Sequence, residues 1–237
     1  MTKKFATLAL VFCGFLGKAQ LWFDLGVKGA YGPSMTINTN VFDNADYALK
    51  YAGTYFYGGK LGINFNQNHA LVGECLMNTF NFAYDLKNGG AKKVTSRYLQ
   101  IPVMYRHNGE TGGYTEIGPQ FSMFRSASMG STDVSAQFTK TNYDVVFGFG
   151  QYIGGGNVFG LNLGFRIAYT LNDIINADHQ TVLGTAVYSP TSAESITSFK
   201  YQASHNLYAS VSLELNFDFG YFIKGANCHK GTRFRMF

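Results

Sequence analysis

The sequence predicts an all-β fold: an antiparallel transmembrane up-and-down β-barrel of eight strands, with ten as the alternative count. Three observations carry that expectation. The stretch Leu207 to Phe219 reads LYASVSLELNFDF, and its odd positions Leu207, Ala209, Val211, Leu213, Leu215, Phe217 and Phe219 are all apolar. Nearly every even position (Tyr208, Ser210, Ser212, Glu214, Asn216, Asp218) is polar. A period of two held this long specifies a strand with two unlike faces, and roughly 9–11 residues cross a bilayer as a strand. Second, Gly, Tyr and Phe number 28, 16 and 22, and charged residues make up only 14% of the 237 residues, against about 25% in soluble proteins. Third, the segments between alternating stretches are long and short in turn, as the loops and turns of an outer-membrane barrel are. No internal run of about 20 apolar residues is present for a membrane helix.

The first twenty residues are of another kind. Lys3 and Lys4 precede an apolar run, Phe5 to Leu16, and Lys18-Ala19-Gln20 ends it. This reads as a secretory signal peptide, 1–20, cleaved near Gln20. Phe12 before Cys13 argues against a lipid anchor. Removing the segment removes three lysines and no acid, so the charge falls from +5 to 16 − 14 = +2. That gives no case for nucleic-acid binding. Cys75 and Cys228 remain; the exported compartment permits a disulfide, but one lies mid-strand and the other in the tail.

The barrel is expected over 21–219. Trp22 to Tyr31 puts Phe23, Leu25, Val27 and Tyr31 on one face and Asp24, Gly26 and Lys28 on the other. A long polar segment, 32–54, follows. Tyr55 to Asn66 sets Tyr57, Leu61, Ile63 and Phe65 against Lys60, Asn64 and Asn66, and Gln67-Asn68-His69 turns the chain. Ala70 to Tyr84 alternates poorly and places Glu74 inside; Asp85 to Ser96 reads as a loop. Arg97 to His107 turns Leu99, Ile101, Val103 and Tyr105 outward and Gln100, Pro102 and Arg106 inward. A proline there demands a bulge or an unpaired site.

After the turn 108–113, Tyr114 to Arg125 sets Ile117, Phe121 and Met123 against Glu116, Gln120 and Ser122. A loop, 126–141, leads to Asn142 to Tyr152, with Val145, Phe147 and Phe149 opposite Asp144, Gly148 and Gly150. Past the turn 153–157, Val158 to Thr170 alternates Leu161, Leu163, Phe165, Ile167 and Tyr169 with Asn162, Gly164 and Arg166. The longest loop, 171–205, holds a candidate hairpin (Thr181–Tyr188 with Ile196–Tyr201), and Leu207 to Phe219 closes the set. The basic tail, 220–237, is read as periplasmic, because Arg233 and Arg235 share the parity of Phe237 and would face lipid. A soluble barrel would bury its apolar face inward, with no place for aromatics near the strand ends, where interface girdles belong.

Two stretches and one dipeptide resemble a known family. Tyr98-Leu99-Gln100-Ile101-Pro102-Val103-Met104-Tyr105, the pair Gly118-Pro119, and Gly164-Phe165-Arg166-Ile167-Ala168-Tyr169 followed by Leu171-Asn172-Asp173-Ile174 are similar to strands of the PorT-like outer-membrane β-barrel proteins of Bacteroidetes. Gln100 stands where that family usually has glutamate. The resemblance implies an outer-membrane barrel over roughly 21–219; one branch of the family assists the type IX secretion system.

The inward charges are Asp24, Lys28, Lys60, Glu74, Arg106, Glu116, Asp144, Arg166, Glu214 and Asp218. An eight-stranded barrel is just wide enough for side chains to fill it, so opposite charges pair across the lumen. The candidate site is therefore a structural cluster of Lys28, Lys60, Glu74, Glu116, Arg166 and Glu214. Arg166 is its hub, since a planar guanidinium holds two carboxylates. Stagger between strands leaves the individual pairs open. No catalytic residue, cofactor or metal is expected. The five histidines show no ligand spacing on one face. Ser204, His205 and Ser210 do not share a face suited to hydrolysis. Asp43-Asn44-Asp46 and Asp173-Asn176-Asp178 read as solvated loop acids rather than calcium ligands, and Gly154-Gly155-Gly156 has no helix after it to bind phosphate. The expected function is an integral outer-membrane protein with a structural or interaction role through extracellular loops and a plugged lumen. Its expected partners are outer-membrane lipid, the barrel-assembly machinery and an envelope or secretion-complex protein. The alternatives are a type IX secretion or envelope accessory, a narrow channel and a lipid-modifying enzyme.

Overall fold

Alternation of apolar and polar side chains builds the strands, and closure of the sheet satisfies their backbones. The computed structural model describes residues 22–38, 47–86, 90–156, 159–179 and 202–218. Its strands are β1 (Trp22–Ile37), β2 (Tyr47–Lys50), β3 (Ala52–Asn64), β4 (His69–Leu86), β5 (Gly90–Asn108), β6 (Gly113–Met129), β7 (Thr132–Asp133), β8 (Thr141–Gly155), β9 (Phe159–Thr170) and β10 (His205–Asp218). Ten strands share one sheet, but eight close the ring, in the order β1-β3-β4-β5-β6-β8-β9-β10 and back to β1. Every neighbouring pair in the ring is antiparallel. The short β2 pairs only with the end of β4, and β7 only with the end of β6. Among the described residues no helix is long and apolar enough to cross a membrane; two single-turn 3₁₀ helices, Ser135–Gln137 and Ala177–His179, lie in connections.

The faces follow the parity of the sequence. Outside stand Phe23, Leu25, Val27, Tyr57, Leu61, Ile117, Phe147, Phe149, Leu163, Val211 and Leu213, all exposed; inside stand Lys28, Lys60, Glu74, Glu116, Arg166 and Glu214, all buried. Aqueous solvent penalises such an exterior, and a bilayer rewards it. A ring without edges leaves no backbone row unpaired in lipid. The described part of the chain is thus a transmembrane barrel. One end carries the tight turns 65–68 and 109–112; at the other, β4 pairs with β5 up to Leu86↔Gly90, and the connection from β9 to β10 is the longest.

Several strands run further than the sequence alone suggests, mostly toward the loop end, though β8 also continues past Tyr152 to Gly155 at the turn end. β1 continues to Ile37 and β3 begins at Ala52, so much of the expected segment 32–54 is sheet. The expected loop 85–96 is the top of the β4–β5 hairpin, paired from Leu86↔Gly90 downward. The expected loop 126–141 holds the end of β6, β7 and a 3₁₀ turn. Toward the loop end the outward residues become polar (Thr79, Asn81, Thr95, Arg97) while the chain still pairs, so the outward apolar pattern ends before the strand does. Asn66 is not inward: it is exposed in the turn, where its Oδ1 accepts from the backbone N–H groups of Asn68 and His69 at 2.9 and 2.8 Å.

Pro102 does face inward. The β4–β5 ladder pairs Gly73↔Val103 and next Leu76↔Gln100, so it is interrupted at the proline, which has no N–H to give. The β5–β6 register shift lies elsewhere, between Arg97 and Tyr98. The signal segment, the tail from Phe219, Cys13, Cys228, Asp43–Asp46 and the candidate hairpin Thr181–Tyr188 with Ile196–Tyr201 lie outside the described residues.

Candidate functional site

The lumen has two halves. In the turn-end half, eight ionised side chains meet: Lys28, Lys60, Arg106 and Arg166 against Asp24, Glu74, Glu116 and Glu214, a balance of 4 − 4 = 0. All eight are buried. Arg166 on β9 reaches Glu74 at 2.7 Å through Nη1 and Glu116 at 2.6 Å through Nη2. Arg106 on β5 reaches Glu116 at 2.8 Å and Glu214 at 2.9 Å. Lys28 on β1 lies 2.8 Å from Glu74, 3.0 Å from Glu214 and 3.9 Å from Glu116. Lys60 on β3 lies 2.8 Å from Glu214 and 3.1 Å from Asp24.

The pairing has a geometric rule. In a ring of eight, each strand faces the one four places on. Glu74 (β4) and Arg166 (β9) stand on facing strands; so do Arg106 (β5) and Glu214 (β10), and Lys28 (β1) and Glu116 (β6). Three diameters of the lumen are therefore spanned by opposite charges. On the fourth, Lys60 of β3 faces β8, which carries Gly148 and Gly150 inward. Without a partner on that diameter, Lys60 turns to Glu214 and Asp24. The glycines supply room: a Cβ on Gly148 would stand 2.8 Å from the Glu116 side chain, and one on Gly150 2.5 Å from the Tyr114 ring. The network is also bracketed by aromatics. The Arg106 guanidinium lies 4.2 Å from the Tyr114 ring centre and that of Arg166 5.8 Å from Phe56.

Burying a charge is costly unless it is paired and hydrogen-bonded, and the carboxylates here collect extra donors. Asn162 and Asn216 donate to Glu214 at 3.2 and 2.7 Å, and Asn64 donates to Asp24 at 2.7 Å. The structure thus brings together Lys28, Lys60, Glu74, Glu116, Arg166 and Glu214, and adds Arg106 and Asp24, which the candidate cluster left out. Arg106 was within reach of sequence reasoning: counting outward from the short turn 109–112 sets it opposite Glu116. Arg166 shares the hub with Arg106, Lys28 and the three glutamates.

In the loop-end half the lumen is filled differently. Phe56, Leu76, Phe80, Phe82, Tyr84, Val94, Tyr98, Val146 and Tyr208 point inward and are buried. This departs from the expected polar interior and explains the poor alternation of β4, whose inward face turns apolar there (Leu76, Phe80, Phe82, Tyr84) while its outward Thr79 and Asn81 are polar. Phe80 packs edge-on to Tyr208, and Phe124 stacks on Phe138 at 5.2 Å. Ile174 and Ile175 close the top with Val134. Asp173 shapes this lid, accepting from the backbone N–H groups of Ile175 and Ser204 at 3.0 and 3.1 Å.

The remaining candidates are dispersed. His69 and His107 lie side by side at the turn end with Tyr105. His205 packs on Tyr169, with Nδ1 3.0 Å from the Thr170 carbonyl, while the Ser204 hydroxyl accepts from Asn38 and Ser210 points into the lumen. Cys75 is a free thiol on the outer face. Among the described residues no three His, Cys, Asp or Glu side chains converge as metal ligands.

Fold and site together define a class: a transmembrane β-barrel of eight strands with a buried charge network in its lumen. No family model and no curated protein matches the chain. Among solved structures, it is similar to Neisserial surface protein A (NspA), at 11% identity, covering 82% of this chain and 96% of that one, with a TM-score of 0.45. The outer membrane protein OprG from Pseudomonas aeruginosa matches at 13% identity over 85% of this chain and 97% of that one, with a TM-score of 0.45. The translocator domain of the autotransporter NalP from Neisseria meningitidis gives 9% identity over 91% and 95%, with a TM-score of 0.33. The fold assignment itself rests on the strand pairing.

Proposed function

We propose that this chain is an integral outer-membrane protein whose barrel is an anchor, closed to passage, and whose role is exercised by the surface at the loop end. The observation that carries this reading is the buried, charge-balanced network spanning three diameters of the lumen. A conducting pore keeps its polar lining wet; here the lining groups bond to one another, and aromatics fill the space above them. The working surface then lies where β4 and β5 rise past the lipid-facing band. Two experiments test the proposal. Unboiled protein from the outer-membrane fraction should migrate differently from boiled protein on a gel, as a closed detergent-resistant barrel does. Reconstituted in planar bilayers it should be silent; steady single-channel conductance would overturn the anchor reading.

A second reading makes the chain an accessory of a type IX secretion or other envelope complex. It is favoured by the resemblance of Tyr98–Tyr105 and Gly164–Tyr169 to PorT-like barrels. Cross-linking in the native membrane should then recover one defined partner protein, and recovery of the monomer alone would count against it.

A further inference from the structure

Above the charge network, one buried carboxylate is left over. The buried ionisable residues described are Lys28, Lys60, Arg106 and Arg166 against Asp24, Glu74, Glu116, Asp144 and Glu214, a formal balance of 4 − 5 = −1. The eight network residues neutralise one another, so the excess charge belongs to Asp144 on β8. No cationic side chain pairs with it among the described residues. Its oxygens accept instead from neutral donors: Gln120 Nε2 at 2.7 Å, Thr170 Oγ1 at 2.6 Å and the Ser122 hydroxyl. A carboxylate offers about four lone-pair sites, so three donors leave one open.

Asp144 lines a small cavity of about 10 Å³, together with Tyr98, Asn142, Ser122, Thr170 and Asn206. That is room for one water-sized species, since a site for one needs about 10–15 Å³. The Tyr98 hydroxyl lines the same cavity. It is buried, with 2% of the residue exposed, and although Ser96, Asn142 and Asn206 stand near, it makes no hydrogen bond. A buried hydroxyl without a partner is costly, and a carboxylate without a countercharge in a low-dielectric lumen is costlier.

The geometry points to a binding site for one small monovalent cation, of the size of sodium, between Asp144 and Tyr98. The ligands are hard oxygens: the open carboxylate lone pair, the tyrosine hydroxyl and the side-chain carbonyl of Asn142. A single positive charge brings the lumen to neutrality, where a divalent ion would overshoot it. Oxygen donors without nitrogen or sulfur suit such an ion. The site depends only on the closed barrel, and stands whether the protein is an anchor or an accessory.

The test uses the full chain folded in detergent micelles, unfolded by heating at one fixed rate. Sodium chloride is compared with choline chloride at equal ionic strength, choline being too large for the cavity. Bound cation stabilises the folded state by mass action. The expected result is an unfolding midpoint several degrees higher in sodium, rising to saturation as sodium is increased. Asp144→Asn should fold, shift on an unboiled gel and lose the sodium effect. Tyr98→Phe should keep the effect but need several-fold more sodium to saturate. Equal midpoints in the two salts would mean a water molecule or a proton fills the site, and would overturn the proposal. So would an undiminished sodium rise in Asp144→Asn or, should that variant fail to fold, an unchanged sodium curve in Tyr98→Phe.

Discussion

The two halves of the lumen solve one packing problem by different means. At the turn end, long charged side chains reach across the barrel and lock facing strands together. At the loop end, aromatic rings from β3, β4, β5 and β10 fill the same cross-section. The first solution is directional: every group depends on a named partner. The second is volumetric: each ring loses a little if a neighbour shrinks. The lumen of an eight-stranded barrel is filled by charge as well as by bulk, and the two respond differently to mutation.

The largest effect should come from breaking a diameter. Arg166→Met takes one cation from Glu74 and Glu116, leaving Lys28 on the first and Arg106 on the second and the buried network one positive charge short. It should cost about 3–5 kcal/mol of stability, the usual penalty for removing one partner of a buried pair, read as the urea midpoint of the barrel in lipid vesicles. Adding Glu74→Gln should return part of that loss, with a coupling of roughly 0.5–3 kcal/mol; strict additivity would break the comparison. Next, Leu213→Arg places a charge on the lipid-facing side of β10, where Leu213 is 53% exposed. A midplane position should cost about 2–4 kcal/mol, and a smaller loss would set Leu213 near an interface. Val146→Ala in the packed half should lose about 1.5 kcal/mol, at about 0.8 kcal/mol per buried carbon, and should add independently to mutations in the charge network. Smallest is Lys50→Ala at the loop end. Its 3.1 Å pair with Asp85 is about half exposed on both sides, so its removal should shift stability by about 0–1 kcal/mol.

The ring of eight strands and their two faces were legible in the sequence because a period of two survives wherever lipid demands one face and the lumen the other. Lys28, Lys60, Glu74, Glu116, Arg166 and Glu214 could be placed inside by parity alone. Their partners could not, since stagger between strands sets which depths meet, and parity carries no depth. Arg106 shows what more could be had: in a hairpin with a short turn, counting outward fixes depth, and Arg106 falls opposite Glu116. The aromatic half was misread for a related reason. Phe80, Phe82 and Leu76 look like lipid-facing residues out of register, and only closure of the barrel shows that they fill its upper lumen. Where β4 and β5 rise beyond the apolar band the alternation reverses, with Phe80, Phe82, Tyr84, Val94 and Tyr98 inward and Thr79, Asn81, Thr95 and Arg97 outward, so the lipid-facing pattern ends before the strands do.

The diameters also bear on how the barrel is made. Glu74 and Arg166 are 92 residues apart in the chain, and Arg106 and Glu214 are 108 apart. Such contacts are slow to find and cannot form hairpin by hairpin. A half-built sheet, with β1 and β10 still apart, presents its charges to the surroundings without the strands that neutralise them. Intermediates short of closure are therefore poor residents of a bilayer, and the network makes assembly close to all-or-none: the last seam to zip, β1 to β10, completes Lys28–Glu214 and the balance of the lumen in one event.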